Sequence, residues 1–369
     1  IMTQFLNLPD ATAATLLGIT HGQVGYLLLT LDNAEIRPVG GFQGQYAVIG
    51  VNGGRISHIA LQDVYHYLEP VTYTNSTSQG YAVYDNYSLA PVEGWFPAEG
   101  KYGLGWVMRN SGLSPDFPQS ARYALWYLHN ENLCVATNSN NQSNGTCAPC
   151  ALNNALGNQG SFYCYGGGDR LPIVDSKGEI TGFVQNQIPM AGVIMIQSRI
   201  ISQLLAITGP IKVGCPYNRD VSAGNLQYLI HYYQETYAGR QISLQHCPTQ
   251  VSDATKRFTG IVTQALQAKI KDMPKTELLK FVGDIIQDLH TKDIQIYFTD
   301  PTRNQVGNGP DAFANGYNPA TLYPPETDAE KFMQHFQVSS ELYQGGVDDM
   351  LAMNRADVVG WKLEPYVKL

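Results

Sequence analysis

The residues of this chain with the plainest chemical potential are its six cysteines, Cys134, Cys147, Cys150, Cys164, Cys215 and Cys247. The first four follow the spacing C-x12-C-x2-C-x13-C, which suits two chemistries. Four thiolates at such intervals can close a tetrahedral zinc site, and an even set of cysteines in an oxidising compartment pairs into disulfides. Disulfides are the preferred reading, because export and zinc-thiolate sites rarely coincide. Cys215 and Cys247 flank a predicted helix and are expected to pin its two ends. Cys147-Ala-Pro-Cys150 has the form of a redox motif. It lies in an Asn/Gly-rich loop rather than at a helix start after a strand, the context that lowers a thiol pKa.

Other signatures of catalysis are missing from the sequence: no G-x-S-x-G elbow, H-E-x-x-H, P-loop or dinucleotide fingerprint occurs. Gly166-Gly167-Gly168-Asp169 has no strand-to-helix context and reads as a loop, not a phosphate cradle. Of the eight histidines, His58 falls in a predicted strand, His66 just beyond it, and His290 at a helix end where a positive charge suits the dipole. Structural roles are expected for them, and no cofactor.

Charged residues make up only 15% of the 369 positions, against 44% hydrophobic and roughly 25% charge in ordinary soluble proteins. The polar surface must therefore be largely neutral, built from Asn, Gln, Ser, Thr, Gly and 23 tyrosines. Such a surface tolerates close contact with sugars or with further copies of itself, so self-association or a cell-envelope glycan is the expected partner. A net charge of −8 without a basic stripe argues against nucleic acid, whose binding depends on counterion release. No apolar run reaches the roughly 18 residues of a membrane span, and the N-terminus has no signal-peptide pattern. Since the chain begins at Ile1, a trimmed product is expected, with any membrane anchor upstream.

The elements that must position these groups are strands and helices in alternation. Residues 25–32 form a continuous apolar run, the pattern of a central strand covered on both faces. Strands over 45–51 and 55–61 join through Asn52-Gly53-Gly54, a hairpin turn sequence. Helical spacing returns over 118–132. The second half predicts a strand at 192–196, a helix at 198–208, a strand at 211–213 and a helix at 222–237 capped by Ser222. Helices at 252–271 and 274–290 follow, with Ser252 as cap and Pro274 at a first turn, then a strand at 293–299. Residues 301–325 read as a linker, 328–336 as a helix, and 347–353 and 361–369 as strand-like pieces. The predicted class is α/β (α+β), helices packed on a mixed central sheet with long loop insertions. Its divisions are a connecting segment (1–24), the main domain (25–300) with a Cys-rich insertion (133–170), and a linker leading into the start of a C-terminal β-rich region (301–369).

Directly after the Leu-rich strand comes Asn33-Ala34-Glu35-Ile36-Arg37-Pro38-Val39-Gly40-Gly41-Phe42. With Asp63-Val64-Tyr65, Ser114-Pro115-Asp116-Phe117-Pro118, Gly192-Val193-Ile194, Thr208-Gly209-Pro210 and Ile294-Gln295-Ile296-Tyr297-Phe298, it resembles a bacterial exported family of unknown function, DUF4012, over about residues 16–300. The resemblance implies a cell-surface, extracellular location, an anchor before the domain and a β-rich region after it. The order of elements is more distantly similar to the LytR-CpsA-Psr phosphotransferases, which move polyprenyl-linked glycans onto peptidoglycan. Residues 192–213 and Asp253-Ala254-Thr255-Lys256-Arg257 carry that likeness, although the second Arg and the Gln of the family's helix do not follow Arg257.

The phosphotransferase resemblance implies guanidinium groups around a diphosphate, a carboxylate-held Mg²⁺ and an apolar tunnel. Arg37, Lys256 and Arg257 would be the catalytic cations, with Arg55, Arg109 and Arg199 as further candidates, and Asp63 and Asp116 the metal ligands. Against it, Arg37 beside Glu35 reads as a structural ion pair fixing the Gly40-Gly41 turn, and Asp116 between two prolines as a turn former. The preferred reading is a non-catalytic envelope component that assembles into a layer or filament; the phosphotransferase is the alternative.

Overall fold

The computed structural model describes residues 8–32, 37–57, 59–64, 108, 111–112, 114–130, 169–175, 180–184, 186–243, 245, 257–303 and 323–340. The Leu-rich run forms β1 (Val24–Asp32) at the heart of the main sheet. It pairs antiparallel with β2 (Phe42–Asn52). Leu27, Leu29 and Leu31 enter one core with Tyr46 and Val48. Val24, Tyr26 and Leu28 enter another with Ala47 and Ile49. Both faces are covered, which is why the strand shows no polar alternation; each fully buried Leu contributes about 1.5–3 kcal/mol.

Gly53 and Gly54 turn the chain with φ of 57° and 74°, the left-handed geometry that a two-residue hairpin needs. The strand expected over 55–61 is shorter. Only β3 (Arg55–Ile56) pairs with β2. Beyond it the Gln267 amide holds both backbone groups of Ile59, accepting from its N–H at 3.2 Å and donating to its carbonyl at 2.6 Å. Those groups are thereby removed from the ladder, and the chain returns to β2 as β4 (Gln62–Asp63).

After β5 (Pro172–Val174) and β6 (Ile180–Phe183), a separate hairpin, β7 (Met190–Gln197) lies parallel to β1. β10 (Ile294–Phe298) then lies antiparallel to β7. The sheet order is β10-β7-β1-β2-β3, with β4 on β2. The fold is therefore mixed α/β. Helix α1 (Asp10–Leu16) lies within the segment read as a connector, and the Tyr26 hydroxyl donates to its Leu16 carbonyl at 2.8 Å. Helix α2 (Phe117–Asn130) places Phe117, Leu125 and Trp126 in the Leu27 core.

A third core joins α3 (Arg199–Thr208), α4 (Leu226–Glu235), α5 (Tyr237–Ser243) and α6 (Arg257–Lys271) to the hairpin of β8 (Ile211–Val213) and β9 (Arg219–Val221). Its centre is aromatic: Tyr217 meets Tyr233 at 4.5 Å and Phe258 at 5.0 Å between ring centroids, both edge-on. The single helix expected over 222–237 is corrected at both ends. Ser222 sits in a turn where its N–H donates to Asn225 Oδ1 at 2.8 Å, so α4 starts at Leu226. At its other end Thr236 is extended. Gly239 packs so tightly on the Tyr232 carbonyl that a Cβ would lie 1.8 Å from it, allowing the corner into α5. Helices α7 (Lys275–Thr291) and α8 (Thr327–His335) complete the described elements. Pro274 stands just before α7, and Glu326 caps α8 by accepting from the Ala329 N–H at 2.8 Å. Ser252 and the strand-like pieces at 347–353 and 361–369 lie outside the described residues.

Candidate functional site

Because β1 and β7 run parallel, their carboxyl ends finish side by side at Asp32 and Gln197, and β2 begins beside them at Phe42. Ligands of α/β sheets bind outside strand carboxyl ends, and a cleft opens there under α3, α4 and α6. Thr30, Asp32, Gln45, Gln197, Ser198, Gln234 and Thr259 supply its polar groups, and Leu31, Phe42, Leu61, Ile196, Ile201 and Ile230 its apolar walls. The cleft is partly open and offers about 30 Å³, water-sized and well below the roughly 300–1,000 Å³ of drug-sized ligand pockets.

One backbone irregularity builds the polar end of this cleft. Thr30 pairs with Gln45 but Leu31 pairs with Gln43, so β2 carries one extra residue, Gly44. A bulge of this kind breaks the two-residue alternation of a strand. Gln43 and Gln45 consequently point to opposite faces. Gln43 accepts from the Ser111 hydroxyl and approaches the Met195 sulfur in the Leu27 core. Gln45 turns to the cleft, where its side-chain carbonyl accepts from the Thr259 hydroxyl. Thr259 accepts in turn from the Gln234 amide at 3.3 Å. All three side chains are buried, and buried polar groups of this kind are retained when hydrogen-bonded. This relay is not among the groups that the sequence singles out. Its only trace was a pair of glutamines two apart in an otherwise apolar strand.

Residues 21–135 match the family model described as Protein of unknown function (DUF4012). The chain carries a DUF4012 region. No curated protein and no solved structure matches the chain, and the LytR-CpsA-Psr likeness has no match behind it. The DUF4012 region holds β1 to β4 and α2, and with them Thr30, Asp32, Phe42, Gln45 and Leu61 of the cleft. Gln197, Ser198, Ile230, Gln234 and Thr259 come from beyond it, so the cleft is assembled across the boundary of the match.

Among the described residues, none of the candidate cations lines this cleft, and the described contacts of Arg37, Arg199 and Arg257 are with other groups. Arg37, in the DUF4012 region, lies over the Phe42 ring at 5.3 Å, a cation–π geometry, and its carbonyl accepts from the Gly40 N–H at 2.9 Å to close the turn. Arg199, at the start of α3, pairs with Asp288 at 3.1 Å and Asp293 at 2.6 Å. Arg257 is buried at the start of α6 and donates to the Ser243 and Gln245 carbonyls at 3.1 and 3.3 Å. Arg55 is exposed on the hairpin, and Arg109 and Lys256 lie outside the described residues. Asp63 stands opposite Gln45 in the β2–β4 register. Asp116 stands just before α2, its carbonyl accepting from the Gln119 and Ser120 N–H groups. Among the described residues no three His, Cys, Asp or Glu side chains gather into one group, and no helix is long and apolar enough to cross a membrane.

A second polar contact went unforeseen. His129 Nδ1 lies 2.7 Å from Asp169 Oδ2, with both side chains buried. His129 is near the end of α2 and Asp169 leads into β5, so the contact ties together the two stems of the Cys-rich insertion. Cys215 is the one cysteine among the described residues, and it is not a free thiol. The other five lie outside them.

Proposed function

We propose that this protein is a non-catalytic component of an exported bacterial cell surface, contacting neighbouring copies or envelope glycan through a weakly charged exterior on which Tyr228 and Tyr237 stand exposed. The observation that carries the reading is the engagement of three of the candidate guanidinium groups. Arg199 is engaged by two carboxylates and Arg257 by two backbone carbonyls, while Arg37 lies on Phe42. Transfer of a diphosphate needs such groups aimed at the developing charge. The cleft is lined instead by amides and hydroxyls, with one carboxylate, Asp32, that repels anions.

Tyr228 and Tyr237 are strongly exposed, and Tyr228 stacks with Tyr232 at 6.1 Å and 17°. Exposed aromatic rings of this kind are enriched in protein contacts. Export is supported by the low charge and by Cys215, which we pair with Cys247 as a disulfide around α4 and α5; peptide mapping without reduction tests that pairing. The test of function is binding of polyprenyl pyrophosphate with and without Mg²⁺, together with sedimentation at rising concentration. The reading expects no Mg²⁺-dependent binding and concentration-dependent assembly. Mg²⁺-dependent binding abolished by Arg37→Ala or Arg257→Ala would refute it in favour of the phosphotransferase.

A further inference from the structure

We infer that the end of the molecule opposite the cleft seats on an anionic lipid surface, through an aliphatic tip formed by Leu17, Ile19 and Ile56. The patch shares no residue with the cleft. Three observations carry the inference.

The first is the gathering of exposed aliphatic side chains. Ile56 is 68% exposed, Ile19 58% and Leu17 43%. In the pairing of β3 with β2, Ile56 stands opposite Val51, and opposed residues of a strand pair project from the same face of the sheet. That is the face on which Val51 packs with Leu16, the last residue of α1. The turn after α1 is fastened to the hairpin by the Gly53 and Gly54 N–H groups, which donate to the Gly18 and Leu17 carbonyls at 3.1 and 2.9 Å. Contiguous exposed apolar groups mark contact with a protein or a membrane.

The second is shape. A Cβ built on Gly22, Gly53 or Gly54 would meet nothing within 4 Å, so both turns project. They are also rigid. The Ile19 N–H donates to the Ala14 carbonyl at 2.8 Å, and a Cβ on Gly18 would lie 2.4 Å from the Val51 carbonyl oxygen. A projecting aliphatic tip gives a protein partner no groove to fill and no hydrogen bond to match, whereas a fluid lipid interface closes around it, taking apolar groups to about 5–10 Å depth.

The third is charge. The chain carries −8 overall, yet residues 11–31 and 44–62 contain no Asp or Glu, and Arg55 and His21 stand exposed in these segments. Exposed charges more than about 8 Å apart are largely screened at physiological salt. The local charge of the tip therefore meets the lipid phosphates, while the acidic groups lie farther back. With nine residues in β1, at roughly 3.3 Å each, a seated tip holds the cleft about 30 Å from the lipid.

The experiment is flotation of the full chain with vesicles of phosphatidylcholine and phosphatidylglycerol in equal parts, and with vesicles of phosphatidylcholine alone, at about 0.15 M salt. The parent is expected to bind the mixed vesicles at least about fivefold more tightly than the neutral ones, the scale of one basic group at an anionic surface. Ile19→Asp and Ile56→Asp are each expected to weaken binding at least about tenfold, the scale of one lost aliphatic anchor, with the thermal melt as in the parent. Arg55→Glu is expected to remove the preference for the mixed vesicles. Leu279→Asp, at a comparably exposed leucine on α7, is expected to bind as the parent does. No flotation with either vesicle overturns the inference, as does equal binding of the two compositions, unchanged binding by a folded Ile19→Asp protein, or an equal loss in Leu279→Asp. Self-association of the parent in lipid-free solution that Ile19→Asp and Ile56→Asp abolish overturns it as well, by assigning the patch to a second copy of the chain.

Discussion

The hydroxyl of Thr259 on α6 donates to the side-chain carbonyl of Gln45 on β2 across 214 positions of sequence, locking the helical layer onto the end of the sheet. Thr259→Val would leave the Gln45 carbonyl and the Gln234 amide without this partner in a buried setting. The expected loss is about 1–3 kcal/mol, read as a lower urea midpoint at unchanged m-value. Thr259→Ser should recover most of it.

The His129–Asp169 contact is the buried tie between the stems of the Cys-rich insertion. His129→Ala or Asp169→Ala should cost about 1.5–3 kcal/mol, the range for a hydrogen bond to a charged group. Limited proteolysis between residues 130 and 169 should accelerate in the same variants. Unchanged cleavage would mean that the insertion is held by other contacts.

Arg199 joins α3 to Asp288 at the end of α7 and to Asp293 before β10. Asp288 is almost fully buried while about half of the Arg199 side chain is exposed, so the two partners are not equivalent. Arg199→Ala should cost about 1–3 kcal/mol by leaving buried carboxylate oxygens short of a donor. A double-mutant cycle with Asp288→Ala should show coupling of about 0.5–3 kcal/mol.

Gly192 lies where β7 passes β10, and a Cβ there would stand 2.3 Å from the Tyr297 carbonyl oxygen. That neighbour is backbone and cannot rotate away. Gly192→Ala should therefore destabilise by about 1–3 kcal/mol, the usual cost of overpacking, and a thermal melt with unchanged midpoint would contradict the β7–β10 register.

Burial pushes the Tyr217 hydroxyl up to about 12, and raises Tyr26 and Tyr233 as well. A raised folded-state value means that the unfolded chain loses its proton first. The stability these tyrosines contribute is present below the ordinary value of 10.0 and lost as pH climbs from about 10 to 12. Lys292, lowered by burial, acts in the opposite sense, but three tyrosines outweigh one partly buried lysine. Urea midpoints should fall steadily over that alkaline window, and less steeply in Tyr217→Phe.

What the sequence by itself determined was whatever depends on short-range pattern. The apolar run of β1, the Asn52-Gly53-Gly54 turn, the helices α2, α3 and α7, and the strand β10 were all legible, because periodicity, glycine φ and helix-start residues act within a few positions. The DUF4012 match over residues 21–135 was legible too, from a motif next to the first strand. Only the tertiary structure decided the rest. That β7 lies parallel to β1 and that Gln267 takes Ile59 off the sheet are consequences of pairings between segments roughly 150 to 210 positions apart, and the Gly44 bulge exists only in the register that β2 takes on β1. The candidate site belongs to this second kind. Its glutamines and threonine are unremarkable one at a time, and an uncharged side chain gives no local signal of the partner it will meet. The arginines show the converse. A guanidinium stands out in sequence as chemistry, yet whether it faces a ligand or groups of the scaffold depends on packing, and packing set Arg199 against two carboxylates and Arg257 against two backbone carbonyls.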